Sequence, residues 1–318
     1  MNAIDIQHVR KAFDGHVAVD DLSLQVPKGS VYGLLGPNGA GKTTTIRMML
    51  DIIRPDAGTI KLFDRSSTDA GVRDVVGYLP EERGLYKKMQ VRRVLTFLAE
   101  LKGVGMKEAA RRIDEWLARL ALTGGDRDWG NAKVDELSRG MQQKVQFIAT
   151  LLHEPELVIL DEPFSGLDPI NAQALKDAVV ELKSRGKTVI FSTHVMENAE
   201  RMCDSVCIIA GGKKVLDGSV ASVKSEHGTQ NLAVLLRDAR PEFVTVLSDP
   251  RLVAKVDNQQ RFFELALVPG ADPQEVLRRL VQAGATVERF ELIQPSLHQI
   301  FIQRVGAQGV EKGMSGHG

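Results

Sequence analysis

Short apolar runs alternate with amphipathic stretches along the first 220 positions. Residues 31–35, 75–79, 157–160, 188–192 and 206–210 are short, mostly apolar and rich in β-branched side chains, the pattern of buried strands. Residues 1–9 alternate apolar and polar like a further strand, while 43–53, 140–152, 171–184 and 195–203 read as helices. Strands alternating with helices predict an α/β core: a parallel or mixed sheet covered on both faces. Between about 90 and 122 the pattern turns purely helical, with Trp116, Leu117, Leu120 and Leu122 on one apolar face. A helical subdomain over about 88–153 is therefore expected within a core domain of residues 1–222.

The texture changes after Ser225. Strands are expected at 229–236, 252–256, 261–268 and 286–293, and helices at 241–247, 273–283 and 297–305. Two of these helices carry start signals. Asp272-Pro273-Gln274-Glu275 offers a cap, a proline at the first helical position and a returning carboxylate, and Ser296-Leu297-His298-Gln299 repeats the box with Gln. The order β-α-β-β-α-β predicts a small C-terminal α+β domain of split βαβ type over 223–305. Residues 306–318 are Gly-rich without apolar anchors and read as a disordered tail.

Three segments carry chemistry. Gly36-Pro37-Asn38-Gly39-Ala40-Gly41-Lys42-Thr43 follows one strand and opens a helix, which is the G-x-x-x-x-G-K-[ST] phosphate loop in its required setting. Its glycines let the backbone curl so that successive N–H groups face phosphate oxygens, and the helix start adds positive potential. Lys42 is expected to reach the β- and γ-phosphates of ATP, and the Thr43 hydroxyl to meet Mg²⁺. The strand 157–160 ends in Asp161 and Glu162. Beside a phosphate loop, Asp161 is expected to hold Mg²⁺ through water and Glu162 to orient and activate the attacking water, the arrangement of a phosphoryl-transfer enzyme. Finally, Ser138 is a good N-cap for the helix at 140–152, and a helix start bearing a Ser hydroxyl and Gly140 is a second phosphate-binding surface.

Leu137-Ser138-Arg139-Gly140-Met141-Gln142-Gln143 is where the chain resembles the ABC ATPases, whose signature LSGGQ it matches at Ser138 and Gly140 but not at Arg139 and Met141. The resemblance implies further roles. Ser165-Gly166-Leu167-Asp168 looks like the D-loop, with Asp168 making a contact across a dimer. His194, in Ser192-Thr193-His194, looks like the switch histidine that senses the γ-phosphate, and Phe13 stands where an aromatic ring stacks on adenine. The nucleotide-binding set then extends through Thr44. One position departs from the pattern: Glu81, in Tyr78-Leu79-Pro80-Glu81-Glu82-Arg83-Gly84-Leu85-Tyr86, stands where the family usually has a Gln near Mg²⁺. A carboxylate there can still bind Mg²⁺ or accept from water, but it adds negative charge beside the phosphates. Together with the ending Pro295-Ser296-Leu297-His298-Gln299-Ile300-Phe301, these motifs resemble the Nat-type sodium exporter and drug or antibiotic exporter ATPases of bacteria. That likeness implies an integral membrane permease on a separate chain and a homodimer or paired ATPase subunit.

Composition narrows the field. The 318 residues carry 41 basic and 41 acidic side chains, a balance that disfavours a nucleic-acid partner. It weighs against the alternative of a soluble ABC ATPase acting on DNA or ribosomes, as does the presence of one ATPase cassette without long coiled coils. The complete set of Lys42, Asp161, Glu162 and His194 weighs against a binding module in which hydrolysis is incidental. No signal-like start and no run of about 18 apolar residues is present. The chain is thus expected in the cytoplasm, on the inner face of the membrane through its permease. Cys203 and Cys207 lack other ligands at metal spacing and read as buried thiols.

Overall fold

The computed structural model describes residues 1–82, 84–226, 231–238, 240–259 and 262–314, with 259 and the last nine by backbone alone. Arg83, residues 229, 230 and 261 of two expected strands, and 315–318 of the expected tail lie outside the described residues. The described residues divide into two compact units, Met1–Ser219 together with 307–314, and Val220–Gly306.

The first unit opens with a long hairpin, β1 (Asn2–Phe13) and β2 (His16–Pro27), joined by Asp14-Gly15, both at positive φ (44° and 86°). That two-residue turn matches the right-handed strand twist. Next come the fully buried β3 (Val31–Leu35) and α1 (Lys42–Met49). This helix stops short of the expected 53. Asp51 adopts φ 53°, and the N–H groups of Ile52 and Ile53 turn back to Arg47 O at 3.0 and 3.4 Å. β4 (Ala57–Leu62) and the short β5 (Arg65–Ser66) then extend the hairpin into an antiparallel sheet ordered β2-β1-β4-β5.

β6 (Val76–Leu79) leads to the helical insert of α2 (Val91–Leu101), α3 (Met106–Arg119) and α4 (Arg139–Leu151). Its helices bury Val94, Leu95, Ile113 and Leu117, and Trp116 packs edge-on to Phe147 with centroids 6.1 Å apart. The chain returns through β7 (Leu157–Leu160), α5 (Pro169–Ser184), β8 (Thr188–Thr193), α6 (Met196–Met202), β9 (Ser205–Ala210) and β10 (Lys213–Ser219). The resulting sheet, β10-β9-β3-β8-β7-β6, is parallel except for β10. Ile6 and Leu24 of the hairpin, Ile46 and Met49 of α1, and Leu34 and Ile159 of the central sheet share one core. Each such side chain contributes roughly 1.5–3 kcal/mol on burial.

Register decides where the site forms. Leu35 pairs with Thr193, and Leu79 with Leu160, so β3, β8, β7 and β6 end along one edge. The phosphate loop, His194, Asp161-Glu162 and Pro80-Glu81 all leave from that edge, the carboxyl side where open α/β sheets bind ligands.

The second unit starts with α7 (Val220–Glu226) and continues through β11 (Asn231–Leu236), α8 (Pro241–Leu247), β12 (Val253–Gln259), β13 (Phe262–Leu267), α9 (Pro273–Gln282) and β14 (Val287–Ile293). Its antiparallel sheet, β12-β13-β11-β14, is that of a split βαβ sandwich. Val234 and Leu265 of the sheet pack with Phe243 of α8 and Leu280 of α9. The last helix, α10 (Leu297–Met314), runs into the stretch 306–318 expected as a disordered tail. Ser296 and Gln299 form the reciprocal capping box, with bonds of 3.2 and 2.8 Å, and no proline follows. Ala307, Gln308, Glu311, Lys312 and Met314 are good helix formers, so a nucleated helix propagates.

Candidate functional site

The phosphate loop is shaped by close backbone approach. Gly41 has φ 105°, and a Cβ there would lie 2.4 Å from Ala18 O; at Gly36 it would lie 2.1 Å from Ile209 O. Only glycine fits either place. The loop therefore seats between β2 and β9, and Ala40 O accepts from Gly212 N at 3.1 Å. Lys42 is 6% exposed and curls back over the loop, donating to Gly36 O at 2.8 Å and Pro37 O at 3.1 Å. Its Nζ also stands 3.3 Å from Glu162 Oε1.

The buried β7 carries Asp161 and Glu162 to the same place. The Thr43 hydroxyl donates to Asp161 Oδ1 at 3.3 Å, and that of Ser192 donates to the same oxygen at 2.5 Å. Glu162 adopts φ 46°, a costly conformation for a residue with a Cβ. Its N–H donates to Ser192 Oγ at 2.9 Å, and its Oε2 lies 3.1 Å from His194 Nδ1. Because an ionised carboxylate only accepts, Nδ1 carries the hydrogen and the ring leaves Nε2 to the site. Asp161 Oδ2 is buried without a hydrogen-bond partner, and Glu162 Oε1 has only the Lys42 ammonium beside it. A carboxylate oxygen left over beside a threonine hydroxyl is a hard donor set that fits Mg²⁺. Burial, and then the negative charge of Asp161, push the Tyr78 hydroxyl up to about 12, so it stays protonated beside that charge.

Two expected members stand at the margin. Phe13 closes β1 opposite His16 and is 44% exposed, which leaves its ring open to stacking, with Lys11 Nζ 5.4 Å from its centroid. Glu81 is exposed just beyond β6, with no side-chain hydrogen bond or ion pair among the described residues. The backbone of its loop is held instead, because Gln146 Nε2 of α4 donates to Glu82 O at 3.1 Å.

Ser138, Gly140 and Asp168 form a second group. Ser138 is exposed and caps α4, accepting from Met141 N at 3.3 Å. A Cβ on Gly140 would come within 2.6 Å of Asn171 Nδ2. Asn171 in turn donates its backbone N–H and its side-chain amide to Asp168, at 3.0 and 2.5 Å. The glycine of one motif is thus seated on the helix start capped by the aspartate of the other. No hydrogen bond joins Ser138 to the phosphate loop among the described residues. Sequence reasoning missed the parts played by Ser192, Gln146 and Asn171. A serine inside the otherwise apolar run Val189-Ile190-Phe191 was the available signal for the first; the others look like ordinary helix residues. Cys203 and Cys207 have both thiols pushed up by burial, and a Cβ on Gly33 would meet Cys203 Sγ at 2.9 Å. No group of three metal-ligating side chains occurs among the described residues.

Residues 19–165 match the ABC transporter family, and residues 218–305 match the C-terminal domain of DrrA1-3-like ATP-binding proteins. The chain is 42% identical to the ABC transporter ATP-binding protein YhaQ of Bacillus subtilis, over 96% of this chain and 99% of that one. It is 33% identical to the daunorubicin resistance ATP-binding protein DrrA3 of Streptomyces coeruleorubidus, over 96% of each. The Nod factor export ATP-binding protein I of Burkholderia lata is 34% identical, over 96% of this chain and 97% of the relative. A solved ATP-binding subunit of an ABC transporter superposes with a TM-score of 0.64 at 30% identity, covering 70% of this chain and 92% of that one. Among the described residues no helix is long and apolar enough to cross a membrane. The chain belongs to the ABC transporter ATP-binding proteins and carries the C-terminal domain of their DrrA-like members.

Proposed function

We propose that this chain hydrolyses ATP to ADP and phosphate and so powers export through an integral membrane permease on a separate chain. The observation that carries the hydrolytic reading is the placement of the buried Glu162, its Oε1 3.3 Å from Lys42 Nζ and its Oε2 3.1 Å from His194 Nδ1. In this reading Lys42 and N–H groups of the loop between residues 38 and 44 bind the β- and γ-phosphates. Glu162 accepts a proton from the attacking water as the bond to the leaving ADP oxygen breaks. His194 orients Glu162 and faces the γ-phosphate, and the Phe13 ring stacks on adenine. Mg²⁺, when bound by Thr43 and Asp161, neutralises charge developing on the phosphate oxygens. Glu81 lines the same edge, where it would bind the metal or accept from its water.

The second surface completes the reading. Ser138 and Gly140 of a homodimer mate, or of a paired ATPase subunit, receive the γ-phosphate, and Asp168 contacts across that dimer. ATP closes the dimer by supplying negative charge to both surfaces, and hydrolysis reopens it. Support comes from the exposed hydroxyl of Ser138 at the start of a 13-residue helix. Beside the Glu81 loop, a cleft of about 650 Å³ lies between insert and core, lined by Pro80, Leu85, Leu98, Leu101 and His153 among others. The loop and insert there transmit the motion to the permease at the inner face of the membrane. Export as the direction rests on the relatives named for daunorubicin resistance and Nod factor export.

The test is Mg²⁺-dependent phosphate release by the full chain, alone and co-purified with its permease. Stimulation by the permease, and loss of activity in Lys42→Ala, is the expected result. Stimulation by DNA or ribosomes instead would overturn the transport reading.

A further inference from the structure

We propose that Ser192 is a positioning residue for the hydrolytic site: one hydroxyl fixes both acidic residues and decides which oxygen of Asp161 is offered to the metal. The inference rests on the hydrolysis reading above. Ser192 is fully buried near the end of β8, a central strand. Its Oγ is 2.5 Å from Asp161 Oδ1 and 2.9 Å from the Glu162 N–H. The second contact must be accepted, because an amide only donates. The single hydroxyl hydrogen is therefore free for Asp161, whose carboxylate only accepts. The rotor has one setting, and the chain Glu162 N–H, Ser192 O–H, Asp161 Oδ1 runs in one direction.

Two consequences follow from this direction. Asp161 Oδ1 receives the Ser192 and Thr43 hydroxyls, so Oδ2, buried and unpartnered, is the oxygen left for a cation. Glu162, at φ 46°, turns its N–H inward to a place where an apolar strand residue would leave it unsatisfied. Ser192 supplies the only side-chain acceptor for that N–H among the described residues, and so holds the peptide that aims Glu162 at Lys42 and His194. Supporting groups one bond behind a metal ligand typically change metal affinity or activity by about 10–100-fold.

The test uses the full chain with Ser192→Ala, Ser192→Thr and Ser192→Val. Mn²⁺ binding in saturating ADP is read from the electron paramagnetic resonance of the free ion, kcat and KM from phosphate release, and nucleotide binding from titration in EDTA. Ser192→Ala is expected to weaken Mn²⁺ about tenfold and to lower kcat by at least about tenfold, while metal-free ADP binding stays within about twofold. Thr and Val have nearly the same size, so Ser192→Thr should recover most of what Ser192→Val loses, whatever strain the added methyl brings. Mn²⁺ affinity and kcat within twofold of wild type in Ser192→Ala would overturn the proposal. So would equal values for Ser192→Thr and Ser192→Val, which decide the matter even if Ser192→Ala does not melt cooperatively. If the wild type binds Mn²⁺ but releases no phosphate, the hydrolysis reading fails while the metal result still judges Ser192.

Discussion

The Lys42 ammonium and the Glu162 carboxylate stand 3.3 Å apart, both more than nine-tenths buried. A buried pair of this kind holds each charge in place only while the other remains. In the proposed reaction the γ-phosphate of ATP brings a stronger anion to Lys42 and sets it beside Glu162. Glu162→Gln removes that repulsion and keeps an oxygen for His194. It is expected to bind ATP at least as tightly as the wild type and to lower turnover by about 10²–10⁴-fold, the range of a lost general base. ATP retained on the protein over time, alongside phosphate release, measures both. Full turnover in this variant would remove Glu162 from the reaction.

Gly140 is held by packing as well as by its motif. A Cβ there meets Asn171 at 2.6 to 3.2 Å, and Asn171 is anchored to Asp168 by two hydrogen bonds. Gly140→Ala should cost about 1–3 kcal/mol of stability by overpacking, only partly offset by the better helix propensity of alanine. Adding Asn171→Ala clears the space and should return part of the loss. Urea unfolding of the two single variants and the double variant closes the cycle; simple additivity would show that the contact is not the cause.

Glu81 presents the opposite case. Its side chain is exposed and makes no hydrogen bond or ion pair among the described residues, while its loop is held through the backbone of Glu82. Glu81→Gln is expected to keep turnover within about tenfold, or about 1.4 kcal/mol of barrier. Complete loss of phosphate release would show that the carboxylate has a chemical role no amide can fill.

His153 gives a pH dependence with a definite sign. Burial holds its pKa below the ordinary value, and Nε2 lies 3.1 Å from Val76 O, so the neutral ring with Nε2–H is the folded form. The unfolded chain then binds more protons than the native one below about pH 6.5. The contribution is present above that pH and is lost as pH falls toward the folded-state pKa. His153→Gln should therefore flatten the decline in melting temperature between about pH 7 and pH 5. An unchanged slope would assign the decline to other groups.

Much of this site was legible because its strands are short, apolar and end in chemistry. The run 157–160 followed by Asp161-Glu162, and the glycine loop between a strand and a helix, each carry their own spatial instruction. The antiparallel sheet of β1, β2, β4 and β5 was less legible beyond its first strand. Its members alternate or break with bulges, as between Ile6 and Val9, which blurs the period of two. The early end of α1 was hidden because Leu50, Ile52 and Ile53 prolong the apolar pattern, while the left-handed turn at Asp51 carries no glycine signal. Ser192 was seen only as part of the run leading to His194. Its use depends on β7 and β8 lying side by side, a relation set by tertiary pairing.

Helix α4 is fastened to the strand β6 and the loops around it chiefly through main-chain oxygens. Gln143 donates to Pro163 O at 3.4 Å, Gln146 to Glu82 O at 3.1 Å and Thr150 to Tyr78 O at 3.3 Å. These fasteners grip the course of the backbone, not the identity of the residue they hold. The side chains of Glu81 and Glu82 are therefore free to be exchanged without loosening the joint between the Ser138 end of α4 and the edge of the sheet. Under the proposed function, an ATPase built this way could be refitted to a different membrane partner by rewriting a few surface letters, with its working stroke left intact.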